Sequence, residues 1–143
     1  KRNAVVEFDA ATWNSKAAGV NFPILTRVPP YGRAVNTPDP AITRASGTIK
    51  LRVNLVGPQF TEDKVFDYEV MASNTTAIAG YHYAPITGKY TIPAKSSFGE
   101  ITIQLLNPGT ATGYPKDLAL QLISNPEAYA SENYKIIVLR IAP

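Results

Sequence analysis

Cysteine is absent from the 143 residues and histidine occurs once, as His82. The first absence excludes a disulfide scaffold, a zinc ribbon and a thiolate nucleophile; the second excludes histidine-based metal clusters and most familiar imidazole catalysis. Charge is scarce too, at 17% of residues, and neither sign dominates: fourteen Lys+Arg against eleven Asp+Glu give +3. The basic residues are scattered from Arg27 through Arg33, Arg44, Lys50, Arg52, Lys64 and Lys89, and the longest basic run is Lys1-Arg2. Nucleic-acid binders concentrate such charge on one face with interleaved aromatics, so no nucleic-acid partner is expected. No stretch approaches the ~18 consecutive apolar residues of a membrane span. What remains is 45% hydrophobic, enough to bury a core without cross-links, and a length fitting one domain over residues 1–143. The chain begins at Lys1, and its one methionine is Met71, which fits a removed signal or lipoprotein leader and equally a truncated chain.

The apolar residues fall at period two. Thr48 to Leu55 alternates polar and apolar throughout, and Val65 to Val70 does the same with Phe66, Tyr68 and Val70 on one face and Asp67 and Glu69 on the other. Glu100 to Leu105 and Asp117 to Leu122 repeat the pattern. Tyr134 to Ile141 is more continuously apolar, as expected of a strand covered on both faces. Shorter candidate strands are Ala4 to Phe8, Phe22 to Val28 and Lys89 to Ile92, the last ended by Pro93.

Gly57-Pro58, Asn107-Pro108-Gly109, Gly113-Tyr114-Pro115 and Asn125-Pro126 punctuate these runs as turns. No helix-length window carries apolar residues at three-and-four spacing, so any helix is expected as one short turn near Pro126 to Ser131. Seven or eight alternating strands predict an all-β fold, an antiparallel β-sandwich. Pro29 to Ser46, with four prolines, reads as one long loop rather than a linker.

One segment resembles a known family. Thr75-Thr76-Ala77-Ile78-Ala79-Gly80-Tyr81-His82-Tyr83, then Gly88 to Ser97 and Ile101-Thr102-Ile103, resembles the Calx-β signature, in which a T-A-x-x-G-x-D-Y stretch precedes a strand-turn-strand. With the upstream strands, the likeness covers residues 47–105. It implies an immunoglobulin-like, Calx-β-type sandwich. The Leu55-Val56-Gly57-Pro58 and Ile92-Pro93-Ala94 turns look most similar to modules of Bacteroidetes surface lipoproteins. That likeness implies export to the cell envelope, surface-exposed or periplasmic. Membrane contact would come only through a lipidated Cys upstream of Lys1, tethering the chain to the outer membrane. Gly80 and Gly88 suit positive-φ turns, and Tyr83 reads as a wedge packed at the sandwich end.

The family's classical members hold calcium through clustered carboxylates at one end, including the Asp that precedes the motif tyrosine. Here His82 stands there, and imidazole is a poor ligand for a hard cation, so a weakened or lost site is implied. If calcium binds, the local acidic group Glu62, Asp63 and Asp67 is the candidate, although Asp67 lies on the outward face of its strand. His82 lacks partners at recognisable spacing for a general base or transition-metal ligand. The Asn74-Thr75-Thr76 glycosylation sequon reads as an ordinary turn.

No catalytic residue and no cofactor are expected. Binding chemistry rests with the loop aromatics: Tyr31, Tyr114 and Trp13 are the candidate ligand-binding residues, joined by Tyr81 and Tyr129 beside loops. Two functions from different classes follow: a non-catalytic structural, adhesive or protein-interaction module at the cell surface, or a carbohydrate-binding module stacking sugar rings on those aromatics. A calcium-binding Calx-β module is the third. Two coplanar, exposed rings on one face would favour the glycan.

Overall fold

The computed structural model describes residues 4–143; the basic run Lys1-Arg2 lies outside the described residues. Nine strands form: β1 (Ala4–Phe8), β2 (Ile24–Leu25), β3 (Thr48–Val56), β4 (Lys64–Val70), β5 (Lys89–Ile92), β6 (Phe98–Gln104), β7 (Lys116–Leu122), β8 (Ala128–Ala130) and β9 (Ile136–Ile141). They make a four-stranded sheet in the order β6-β3-β1-β8 and a five-stranded sheet in the order β2-β9-β7-β4-β5. Most pairings are antiparallel, as expected, but β1 with β8 and β2 with β9 are parallel. The one strand beyond the eight expected is β8, a three-residue parallel edge too brief to show a period.

Alternation directs the packing. Along β3, Ile49, Leu51, Val53 and Leu55 are buried, and β6 buries Ile101 and Ile103. These meet Phe66, Tyr68, Leu118, Leu120, Leu122, Ile137, Leu139 and Ile141 of the other sheet in one core. β9 is covered on both sides, because Val138 turns outward into a second small cluster with Phe22 and Ala119. That explains its unbroken apolar run.

Two expectations are corrected. The short helix is α1 (Asp9–Trp13), not a turn near residues 126–131, where β8 pairs with β1. Ala10 and Ala11 suit a helix, Thr12 Oγ1 donates to the Asp9 carbonyl, and Asn14 Nδ2 closes the turn onto the Ala10 carbonyl. The strand expected over Phe22 to Val28 shrinks to Ile24–Leu25. Pro23 has no N–H to give a ladder at its start, and beyond it Val28 instead donates its N–H to the Pro40 carbonyl of the long loop.

Gly99 sets the approach of the two sheets at one side. A Cβ there would lie 2.3 Å from the Thr91 carbonyl oxygen, so β5 can run beneath β6 only because the residue is glycine. Gly88, at φ +74°, makes the turn into β5 against the Tyr68 carbonyl. Gly80 likewise takes a positive φ, and Tyr83 is buried in the main core.

Candidate functional site

The outer face of the four-stranded sheet is built by the residues that alternate away from the core: Glu7 on β1, Arg52 and Asn54 on β3, Phe98 and Glu100 on β6. The register places Arg52 opposite Glu100 and Asn54 between Glu7 and Phe98. Arg52 is layered between two rings, its guanidinium carbon 4.0 Å from the Phe98 centroid and 5.7 Å from that of Tyr31. The Tyr31 hydroxyl donates to Glu100 Oε2 at 2.7 Å, and burial, then this bond to the carboxylate, raise its pKa far above the usual phenol range. Arg52 Nε donates to Asn54 Oδ1, and Asn54 Nδ2 donates to Asp9 Oδ1 at 2.9 Å and Glu7 Oε2 at 3.3 Å. Burial, and then the neighbouring Asp9 charge, raise the Glu7 pKa against the opposing Asn54 hydrogen bond.

Asp9 is the pin of this arrangement. Its carboxylate is buried and accepts from Trp13 Nε1 at 3.1 Å, Asn54 Nδ2 and the Gly32 N–H at 2.7 Å. Helix, sheet and Pro-rich loop therefore meet on one carboxylate. The loop is held again by Asn14 Oδ1 on the Val35 N–H and by a bidentate Arg33–Asp39 pair. Asp39 lies below the usual carboxylate range, first because of Arg33 and then the Asn36 N–H. Tyr31 is thus not on a free loop tip.

Of the three aromatic candidates, Tyr31 and Trp13 are brought into one network and are 38% and 50% exposed, joined by Phe98 at 38%. Tyr114 lies elsewhere and its ring is packed away: its hydroxyl is buried and its ring meets His82 edge-on at 5.5 Å. The Tyr81 ring also meets His82 edge-on, at 4.8 Å. Arg52, Phe98 and Asp9 were missed by reading loops for aromatics. Phe98 did carry a signal, since an apolar ring on the outward phase breaks the alternation of β6; Val5 and Val56, paired with each other beside Tyr129 on the same face, break it likewise.

The calcium candidates do not converge. Asp67 pairs with Lys89 at 2.5 Å, and Asp63 Oδ1 accepts from the Ala94 N–H. His82 is buried, and its Nδ1 accepts from the Ile78 N–H at 2.8 Å. Burial, and then the charge of Lys116, depress its pKa, while Arg44 acts on neighbouring Tyr114. A buried imidazole whose Nδ1 is already engaged is no ligand for a hard, oxygen-seeking cation. Among the described residues no three His, Cys, Asp or Glu side chains are grouped to hold a metal.

The sequence matches no protein-family model and no curated protein. Solved structures do match. The apo form of the Calx CBD1 domain superposes with a TM-score of 0.62 at 11% identity, covering 99% of this chain and 99% of that one. The Calx CBD2 domain gives 0.57 at 11%, over 96% of this chain and 86% of that one. CBD12 from CALX1.2 gives 0.61 at 11%, over 95% of this chain and 44% of that one. The fold is a Calx-β-like β-sandwich.

Proposed function

We propose that this Calx-β-like sandwich is a non-catalytic interaction module of the bacterial cell envelope, of the kind carried by Bacteroidetes surface lipoproteins, and that it docks a protein partner through the outer face of its four-stranded sheet. The observation that carries the reading is the Tyr31–Arg52–Phe98 layer with Trp13 beside it. These are the residue types that dominate binding energy in protein interfaces, held rigid by the Asp9–Asn54 network before any partner arrives. Val5, Val56 and Tyr129 extend the apolar part of the face. Calcium enters only as a property of similarly folded domains, and the scattered carboxylates and the buried, engaged imidazole of His82 speak against it.

A glycan is the second reading, favoured by two partly exposed rings, Trp13 and Tyr31, joined in one network: Trp13 Nε1 and the N–H of Gly32, next to Tyr31, both donate to Asp9, and Asn54 Nδ2 bridges Asp9 and Glu7. The test is binding of the labelled chain to the surface of the cells that make it, before and after surface proteolysis, and to immobilised cellulose, xylan, chitin and amylose. Protease-sensitive binding lost in Arg52→Ala and Tyr31→Ala is expected. Protease-resistant binding to a polysaccharide, reduced in Trp13→Ala, would transfer the function to glycans. Binding equal in all three variants would overturn both.

A further inference from the structure

A sandwich has four sheet edges, and here three are short or blocked. β8 spans three residues and β2 two. The outward groups of Lys89 on β5 are taken by Thr87 Oγ1, which accepts from the Lys89 N–H and donates to its carbonyl, and Pro93 ends that strand. β6 is different: it is a seven-residue edge without lysine or proline.

Its phase can be read from the bonds at its two ends. Leu55 N–H donates to the Ser97 carbonyl and Leu105 N–H to the Gly47 carbonyl, so odd-numbered residues of β6 bond to β3 and even-numbered ones face out. Phe98 is capped by Ser96 Oγ, and the Gln104 carbonyl is taken by the Ala84 N–H. Between those caps, the N–H and C=O of Glu100 and Thr102 have no partner among the described residues. An open depression of 440 Å³ reaches the Glu100 end of this stretch, lined by Phe98, Gly99 and Glu100 together with Thr91, Pro93 and Ser96.

We propose that this free stretch pairs with the same stretch of a second copy, β6 against β6 antiparallel, about a two-fold axis at Ile101. The side-chain chemistry selects that occupant and register. Centred at Ile101, Glu100 of each copy faces Thr102 of the other, both free residues are bonded reciprocally, and no like charges oppose. Lys50, the cross-strand neighbour of Thr102, then stands one strand beyond the partner's Glu100, and Lys50 has no ion pair among the described residues. Centring on Glu100 instead would set carboxylate against carboxylate. The two four-stranded sheets become one sheet of eight, with the two aromatic faces side by side on the same surface.

The proposal does not depend on the partner-docking reading, and its test involves no ligand. Sedimentation and light scattering of the full chain up to about 1 mM should show a monomer–dimer equilibrium, with the Glu100 and Thr102 amides exchanging more slowly as concentration rises. Thr102→Pro removes an N–H that the monomer does not use, and it should leave a folded monomer. Thr102→Glu sets like charges opposite each other twice and should weaken the dimer at least about tenfold, whereas Thr102→Lys, facing Glu100, should not. Because the charge pair reads the register without touching the backbone, a failure of the proline variant to fold leaves the test intact. A monomer at every concentration, or a dimer indifferent to Thr102→Glu, would overturn the proposal.

Discussion

Replacing Asp9 by alanine should uncouple three parts of the molecule at once. The substitution deletes the acceptor of three hydrogen bonds: from Trp13 Nε1, from Asn54 Nδ2 and from the Gly32 N–H. A hydrogen bond to a charged group contributes about 1.5–3 kcal/mol, but water can reach the partly exposed Trp13 and Asn54 donors, so the three together are worth about 3–5 kcal/mol rather than their sum. For 143 residues the unfolding entropy near the midpoint is about 0.3 kcal/mol/K, so the melting temperature should fall by about 10–17 °C. Asp9→Asn keeps an acceptor but turns an amide N–H toward one of the donors, and should cost less, about 1–3 kcal/mol. Urea unfolding gives both values. Limited trypsin digestion gives the local one, because Arg33 lies in the loop that Gly32 anchors, and cleavage there should accelerate in Asp9→Ala before global unfolding. A loss below about 0.5 kcal/mol with unchanged cleavage at Arg33 would refute the role of Asp9 as the pin of the face.

Gly99→Ala should cost about 1–3 kcal/mol by urea unfolding, because the new methyl meets the Thr91 carbonyl at 2.3 Å and backbone on both sides must yield; a neutral result would mean that the sheets do not approach there. His82 is held neutral by burial and by its Nδ1 acceptor role, so its folded pKa lies below the ordinary 6.5. Above that value both states are neutral and the contribution is complete. As pH falls below 6.5 the unfolded chain takes up the proton first, so stability should decline until the folded pKa is passed. Stability against pH for wild type and His82→Asn should differ in slope in that window, and parallel curves would count against a depressed His82. Calcium should leave the thermal midpoint where chelator leaves it; a chelator-reversible rise would mean that Glu62, Asp63 or Asp67 reorganises around the ion.

Much of the fold was legible because a half-buried strand writes its burial at period two. β3 and β4 declare their inward faces residue by residue, and β9 declares by its continuous apolarity that something covers it, which proves to be Phe22. β8 could not be read: three residues, Ala-Tyr-Ala, carry no period, and the parallel pairing to β1 is a tertiary fact. The helix α1 was hidden because a single turn needs only two alanines and a local cap. The Tyr31–Arg52–Phe98 face was half visible. Tyr31 and Trp13 stood out as loop aromatics, but their joining depends on Asp9, whose neighbours are distant in sequence. Tyr114 looked like a loop tip from its Gly-Tyr-Pro context, yet its ring fills space beside His82. The open edge of β6 left no mark in composition, because the free groups of Glu100 and Thr102 belong to the backbone.

The docking face is tested most directly by placing a photo-cross-linking amino acid at Tyr31 and, in a second protein, at Glu69 on the exposed outer side of the five-stranded sheet, then irradiating each on the cells that make the chain. If the Tyr31–Arg52–Phe98 layer is the docking face, a partner other than the chain itself should be trapped from position 31 and not from position 69, and Arg52→Ala should abolish the adduct. The same partner trapped from position 69 alone, or equally from both and indifferent to Arg52, would contradict it.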